Sequence, residues 1–169
     1  MTKPTSRPKP IPFVSTGYWL LKSEPESYSI DLFAKEKKTL WTGVRNYQAR
    51  NFMVDSMKPG DKFIFYHSNA EPSAAVGVGA VVRPNQADPS ALDKKSEYYD
   101  PKASSDHPIW FCAEVSYEGH LKKPVTLQDL RDKKDLEKMA LLQRGQRLSV
   151  LPMTKSEFEA VVKMGGGLK

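Results

Sequence analysis

Lys62-Phe63-Ile64-Phe65-Tyr66-His67-Ser68, delivered by the turn Lys58-Pro59-Gly60-Asp61, reads as a β-strand, and Val76-Gly77-Val78-Gly79-Ala80-Val81-Val82 reads as another. Both are short apolar runs bounded by turn formers, the pattern of a strand buried in a sheet. The two glycines of the second run indicate a bend or a close approach of backbone. Upstream, Gly17-Tyr18-Trp19-Leu20-Leu21-Lys22 is a further strand, ended by Ser23-Glu24-Pro25. Alternation puts Trp19, Leu21 and Ser23 on one of its faces and Tyr18, Leu20 and Lys22 on the other. Downstream, residues 109–117 form the next strand, and residues 146–151 form a last short one closed by Pro152.

Helices are marked by their caps. Ser29 precedes a short helix reaching Lys37, and residues 46–57 read as a second. Thr126-x-x-Asp129 and Thr154-x-x-Glu157 are capping boxes that start two more, the last stopping at Gly165. Between Arg83 and Pro108 lies a long polar insert broken by Asp88-Pro89, Asp100-Pro101 and His107-Pro108, long enough to be functional or to be ordered by packing. Strands joined by loops or single helices, without regular βαβ crossovers, place the chain in the α+β class. The expected core is a small, strongly bent or barrel-like mixed sheet in a single domain.

The 169 residues are 39% hydrophobic and carry a net charge of +6. Residues 1–16 hold Lys3, Arg7 and Lys9 with no acid and four prolines, so half of the net charge falls on a segment expected to be a disordered tail. The domain is expected over residues 17–165, with a short C-terminal tail at 166–169. A single cysteine, Cys112, cannot close an internal disulfide, and no apolar run approaches the ~18 residues of a membrane span. The first ten residues contain no apolar stretch of a signal peptide. A cytosolic protein is expected, nuclear if the source is eukaryotic, with no membrane partner and acting as a monomer. A pI near 9.3 points to a polyanionic partner.

The most unusual segment is Trp41-Thr42-Gly43-Val44-Arg45-Asn46-Tyr47-Gln48-Ala49-Arg50-Asn51. Its amides offer paired donors and acceptors that match base edges, and its arginines suit phosphates or aromatic rings. The same residues also read as a plain helix start, with Asn46 as cap, Tyr47 in the core and the charges solvated. A second cluster is Tyr66-His67-Ser68, where alternation groups His67 with Phe63 and Phe65, as for a core histidine bonded to a backbone carbonyl. Lys22-Ser23-Glu24-Pro25 and the pair Arg147 and Ser149 are the third and fourth. All four stand at strand ends or at a strand-to-helix junction, from which they can converge on one concave site.

Catalytic and cofactor templates fit poorly. A triad of Ser23 or Ser68 with His67 and Glu24 has no Gly-x-Ser-x-Gly elbow behind it, and His67 and Ser68 point to opposite faces of a strand. Metal-ligand spacings, a dinucleotide fingerprint and a phosphate-binding loop are all missing from the sequence, so no cofactor is expected.

Several stretches carry a resemblance: residues 18–25, the Trp41 to Asn51 block, Phe65-Tyr66-His67-Ser68-Asn69, Tyr99-Asp100-Pro101-Lys102 and Arg147-Leu148-Ser149-Val150. Over about residues 17–164 the chain resembles the EVE domain family. The resemblance implies a PUA-like fold, a bent mixed β-barrel with flanking helices. It also implies a non-catalytic module that binds nucleic acid, DNA or RNA, and takes a modified base into a pocket. Carried over by position, that pocket is lined by Lys22, Ser23, Trp41, Arg45, Asn46, Tyr47, Gln48, Asn51, Tyr66, His67, Ser68, Arg147 and Ser149. Trp41 or Tyr47 would stack on an extruded base, amides and hydroxyls would read its edge, and arginines would hold flanking phosphates. Arg45→Ala and Trp41→Ala are then expected to abolish binding and leave the fold intact. Where the family has Gln, this chain has Leu151, which by alternation shares the face of Arg147 and Ser149 and so removes an amide from the pocket. The alternatives to this reading are a hydrolase or base-modifying enzyme using His67 with Ser23 or Glu24, and a small-molecule or protein-interaction module.

Overall fold

The computed structural model of the protein describes residues 14–169. The expected tail falls largely outside these, but its last residue is attached to the domain, because the Thr16 hydroxyl donates to the Met153 carbonyl. The elements are β1 (Tyr18–Ser23), α1 (Ile30–Glu36), β2 (Lys38–Leu40), α2 (Tyr47–Asn51), β3 (Lys62–His67), β4 (Ala74–Ala87), β5 (Phe111–Thr126), α3 (Leu127–Asp132), β6 (Val150–Met153) and α4 (Lys155–Met164).

Six strands form one mixed sheet in the order β2-β5-β4-β3-β1-β6. β1 and β3 run parallel and the other neighbours antiparallel. The central strands read as unbroken apolar runs because both of their faces are covered. Trp19, Leu21, Phe63 and Phe65 pack on one side against Phe33 of α1, Trp41 and Met53. Leu20, Ile64 and Tyr66 pack on the other against Leu130 of α3, Leu151 of β6 and Val161 of α4. The glycines of β4 are the close approaches their spacing indicated: a Cβ on Gly79 would sit 2.4 Å from Cζ of Phe63.

β4 and β5 reach 14 and 16 residues, well beyond the expected 76–82 and 109–117. The added stretches 83–87 of β4 and 118–126 of β5 are largely polar, the first with no buried residue and the second with only Gly119, Leu121 and Val125 buried, which hid them from an apolar-run reading. Four register shifts along the β4/β5 ladder bend the pair. The resulting curl stops short of closure, so the expected barrel is an open, strongly bent sheet with β2 and β6 at its edges. Pro152 lies inside β6 rather than after it, a position an edge strand tolerates because one side of its backbone needs no ladder donor.

The caps behave as their residue types require. Ser29, Thr126 and Thr154 each accept a hydrogen bond from a first-turn backbone N–H, the last two in full capping boxes. The helix expected over 46–57 is α only to Asn51, then widens into a π-helical turn, Phe52–Ser56, that carries Phe52 and Met53 into the core. The expected tail at 166–169 instead runs back along β5, with Leu168 bridging Leu121. Among the described residues no helix is long and apolar enough to cross a membrane.

Candidate functional site

β1 and β3 are register partners to their last residues, so Ser23 and His67 finish side by side. The chain leaves both carboxyl ends on the same side, tied by a bond from Ser68 N to Ser23 O at 3.1 Å, and a cavity of about 1020 Å³ opens there. That is the upper end of the ~300–1,000 Å³ usual for small-ligand sites. One wall is Lys22 to Tyr28 at the exit of β1, a second is Thr39 to Val44, and a third is Ser68 and Asn69. Glu97 and Tyr98 of the insert and Gln146, Arg147 and Ser149 before β6 close it.

Much of the lining is locked by its own hydrogen bonds. The Ser23 hydroxyl donates to Tyr28 O at 2.7 Å, and Asn69 Nδ2 donates to Glu24 Oε1 at 2.7 Å. The Tyr28 hydroxyl donates to Glu36 Oε1 at 2.6 Å; burial and that carboxylate push its pKa up to about 12, so the phenol stays protonated. Lys22 is half-buried and forms no ion pair among the described residues, and burial lowers its pKa. The charged lining residues are Lys22 and Arg147 against Glu24 and Glu97, which balance formally. A site of this composition selects by polar edges and ring faces rather than by net charge.

Of the residues expected at the site, Lys22, Ser23, Trp41, Ser68, Arg147 and Ser149 line this cavity. Trp41 shows it only an edge, being 7% exposed and packed at right angles to Tyr28 and Phe65. The block's other expected site residues, Arg45, Asn46, Tyr47, Gln48 and Asn51, lie outside the lining. All five guanidinium N–H groups of Arg45 are used: toward Tyr98 O twice, Val44 O, Asp88 Oδ2 and Ser90 Oγ, at 2.9 to 3.2 Å. Asp88 is buried, and it also accepts from Gly43 N and from the backbone and hydroxyl of Ser90. Burial alone would raise its carboxyl, but the bonds from Ser90, Gly43 and Arg45 outweigh it and hold the pKa below the usual carboxylate range.

Arg45 also lies between the rings of Tyr98 and Trp110, 5.4 and 5.1 Å from their centroids. Trp110 stacks on Tyr47 at 4.9 Å, and Arg50 covers Tyr47 at 4.6 Å. This aromatic and cationic ladder bolts the insert to the block. Asn46 caps α2 through Oδ1, Asn51 Oδ1 accepts from Arg50, and Gln48 is exposed outside the cavity lining. The helix-start reading therefore describes Asn46, whereas Tyr47 is 60% exposed rather than core. Leu151 is 1% exposed in the second core, register-paired with Leu20, so it takes no amide from the cavity. Regular strand begins only at Val150, and alternation does not extend back from Leu151 to Ser149.

Tyr66 is buried in the second core, away from the cavity, and its pKa is raised by burial. His67 packs edge-on to Phe65 and its Nε2 accepts from Ile30 N at 3.2 Å, a backbone N–H in place of the expected carbonyl. That bond occupies the lone pair a general base would need, while Ser23 and Glu24 are engaged with Tyr28 and Asn69. The geometry therefore does not favour the hydrolase alternative. Burial lowers the His67 pKa, with Asp31 pulling against the shift and His120 adding to it. The unfolded chain then takes up this proton first as pH falls, so stability is lost below the ordinary histidine value of about 6.5. Between pH 7.5 and 5 the wild type is expected to lose more thermal stability than His67→Gln, whose amide oxygen can still accept from Ile30; equal losses would remove His67 as the cause.

The profile of the EVE domain family matches residues 17–164. The chain belongs to the EVE domain family. Mouse thymocyte nuclear protein 1 is 38% identical over 168 residues, 88% of this chain and 74% of the relative. A crystal structure of a protein from Pseudomonas syringae superposes with a TM-score of 0.84 at 39% identity, covering 88% of this chain and 99% of that one. The human THYN1 protein in complex with 5-methylcytosine-containing DNA superposes with a TM-score of 0.82 at 33% identity, covering 90% and 99%.

Three features of this EVE domain's cavity escaped sequence reasoning. Tyr28 stands in the loop after Pro25 with no periodic neighbour, and its inward turn depends on Glu36 of α1. Asn69 ends the quoted β3 motif, but its bond to Glu24, which sets it in the cavity wall, is to a residue 45 positions away. Tyr98 was detectable in principle, since Tyr98-Tyr99 is an aromatic pair in an otherwise polar insert.

Proposed function

We propose that this EVE domain is a non-catalytic reader of a modified nucleobase, with the cavity at the ends of β1 and β3 receiving one extruded base and 5-methylcytosine in DNA as the leading ligand. The observation that carries the reading is the cavity itself: the rings of Tyr28 and Tyr98 and an edge of Trp41 line a volume of about 1020 Å³ together with amides, hydroxyls and Lys22, which forms no ion pair among the described residues. Rings supply stacking, and amides and hydroxyls read the Watson–Crick edge of a flipped base. The likeness to the human THYN1 complex supports the choice of ligand. Lys22, Ser23, Ser68, Arg147 and Ser149 are the polar contacts, with Arg147 at the exposed rim placed for a flanking phosphate. The protein acts as a monomer where modified nucleic acid is found, the nucleus in a eukaryotic cell and the cytoplasm in a bacterial one.

The test is a fluorescence-anisotropy titration of duplexes of one sequence, with cytosine or 5-methylcytosine at a single position, at two salt concentrations. A methyl-dependent difference in Kd that persists at the higher salt is expected. Arg147→Ala should weaken both duplexes alike and flatten the salt dependence by about one counterion. Equal affinity for both duplexes, vanishing at moderate salt, would reduce the interaction to phosphate attraction and return the small-molecule or protein-interaction module to first place.

A further inference from the structure

We propose that Tyr98, carried by the insert between β4 and β5, is the residue on which the extruded base stacks. The assignment rests on the base-reading function above and moves the stacking role away from the Trp41 to Asn51 block. Three rings line the cavity, and two are spent on the core. Trp41 is 7% exposed and edge-packed by Tyr28, Phe63 and Phe65. Tyr28 contacts Phe33 and Phe65 as well, and its hydroxyl is tied to Glu36. Tyr47 is more exposed but lies outside the cavity, with Trp110 stacked on it and Arg50 over it.

Tyr98 differs from all three. It is 36% exposed, lines the cavity, and has no ring-to-ring contact among the described residues. Its seat is built rather than incidental. Gly43 has φ +85°, and a Cβ there would lie 2.7 Å from Cε2 of the Tyr98 ring, so the ring rests directly on glycine backbone. Arg45 holds the Tyr98 carbonyl with Nε and Nη2 at 3.2 and 2.9 Å while its guanidinium lies 5.4 Å from the ring centroid. Arg45 is in turn locked by buried Asp88. A ring held in this way and still 36% exposed in the cavity lining can meet a base without first losing rotamer freedom, so less of the stacking energy is spent on ordering. Arg45 is accordingly a positioning residue: it acts on the ligand through Tyr98.

The experiment compares the wild type with Tyr98→Ala, Tyr98→Leu and Tyr98→Phe on the same cytosine and 5-methylcytosine duplexes, with denaturation midpoints measured in parallel. Loss of one stacked base corresponds to a weakening of about 5- to 150-fold. That loss is expected for Tyr98→Ala and for Tyr98→Leu, which keeps apolar bulk but removes the π face. Tyr98→Phe should restore binding to within about threefold, since the hydroxyl is not the recognition group, and the salt dependence should be unchanged throughout. A merely structural Tyr98 would lower the midpoint and weaken both duplexes in proportion. Wild-type affinity and methyl preference in Tyr98→Leu would overturn the assignment while leaving the base-reading function standing. A wild type that does not distinguish the two duplexes would overturn that function, and the stacking role with it.

Discussion

Arg45→Ala is expected to destabilise the protein by about 3–5 kcal/mol, the usual consequence of removing one partner of a buried ion pair. Asp88 has a fully buried side chain, and its partner Arg45 is 21% exposed at the side chain. Truncation leaves that carboxylate with only Gly43 N and Ser90 as donors and frees the Tyr98 and Val44 carbonyls. It also opens the space between the Tyr98 and Trp110 rings. Urea denaturation of Arg45→Ala, Asp88→Asn and the double variant checks this, since a true pair gives a coupling energy and the double variant loses less than the sum. A wild-type midpoint in Arg45→Ala combined with lost oligonucleotide binding would restore the guanidinium to the ligand-contact role its sequence context implied.

Trp41→Ala is expected to lose a comparable ~3–5 kcal/mol, as for other aromatic-to-alanine changes in a packed core. The ring fills the space between Tyr28, Phe63 and Phe65 under the floor of the cavity. Its removal would leave a void on the side of the sheet that α1 covers. Trp41→Phe should recover most of the loss, because much of the buried ring area remains. Both variants are therefore expected to unsettle the fold before they report on binding, the reverse of the outcome expected from the central block and the family resemblance. A Trp41→Ala protein that unfolds at the wild-type midpoint yet no longer binds would show that the ring belongs to the ligand.

The reason for that reversal lies in where the partners sit. Residue types in the Trp41 to Asn51 block advertise hydrogen-bonding capacity but not who uses it. Asn46 spends its amide oxygen on its own helix, a local event that the helix-start reading already allowed. Arg45 spends all five donors, four of them on residues more than forty positions away. Nothing within the block distinguishes an arginine waiting for a phosphate from one already satisfied by Asp88, Ser90 and Tyr98. By contrast, Lys22, Ser23, Ser68, Arg147 and Ser149 were legible as cavity residues because they are polar groups at or beside the ends of apolar strands.

Local features are legible in the chain alone: the apolar runs of β1 and β3, the caps at Ser29, Thr126 and Thr154, the turn before β3 and the close approach at Gly79. These follow from side-chain period, backbone donors at helix ends and the room a missing Cβ leaves. Long-range packing sets the rest: β1 and β3 lie parallel and end together, the sheet curls without closing, and the insert folds back to place Tyr98 over Gly43. Those are pairings between distant segments, and their free energy comes from burying both partners at once, which neither segment reveals alone.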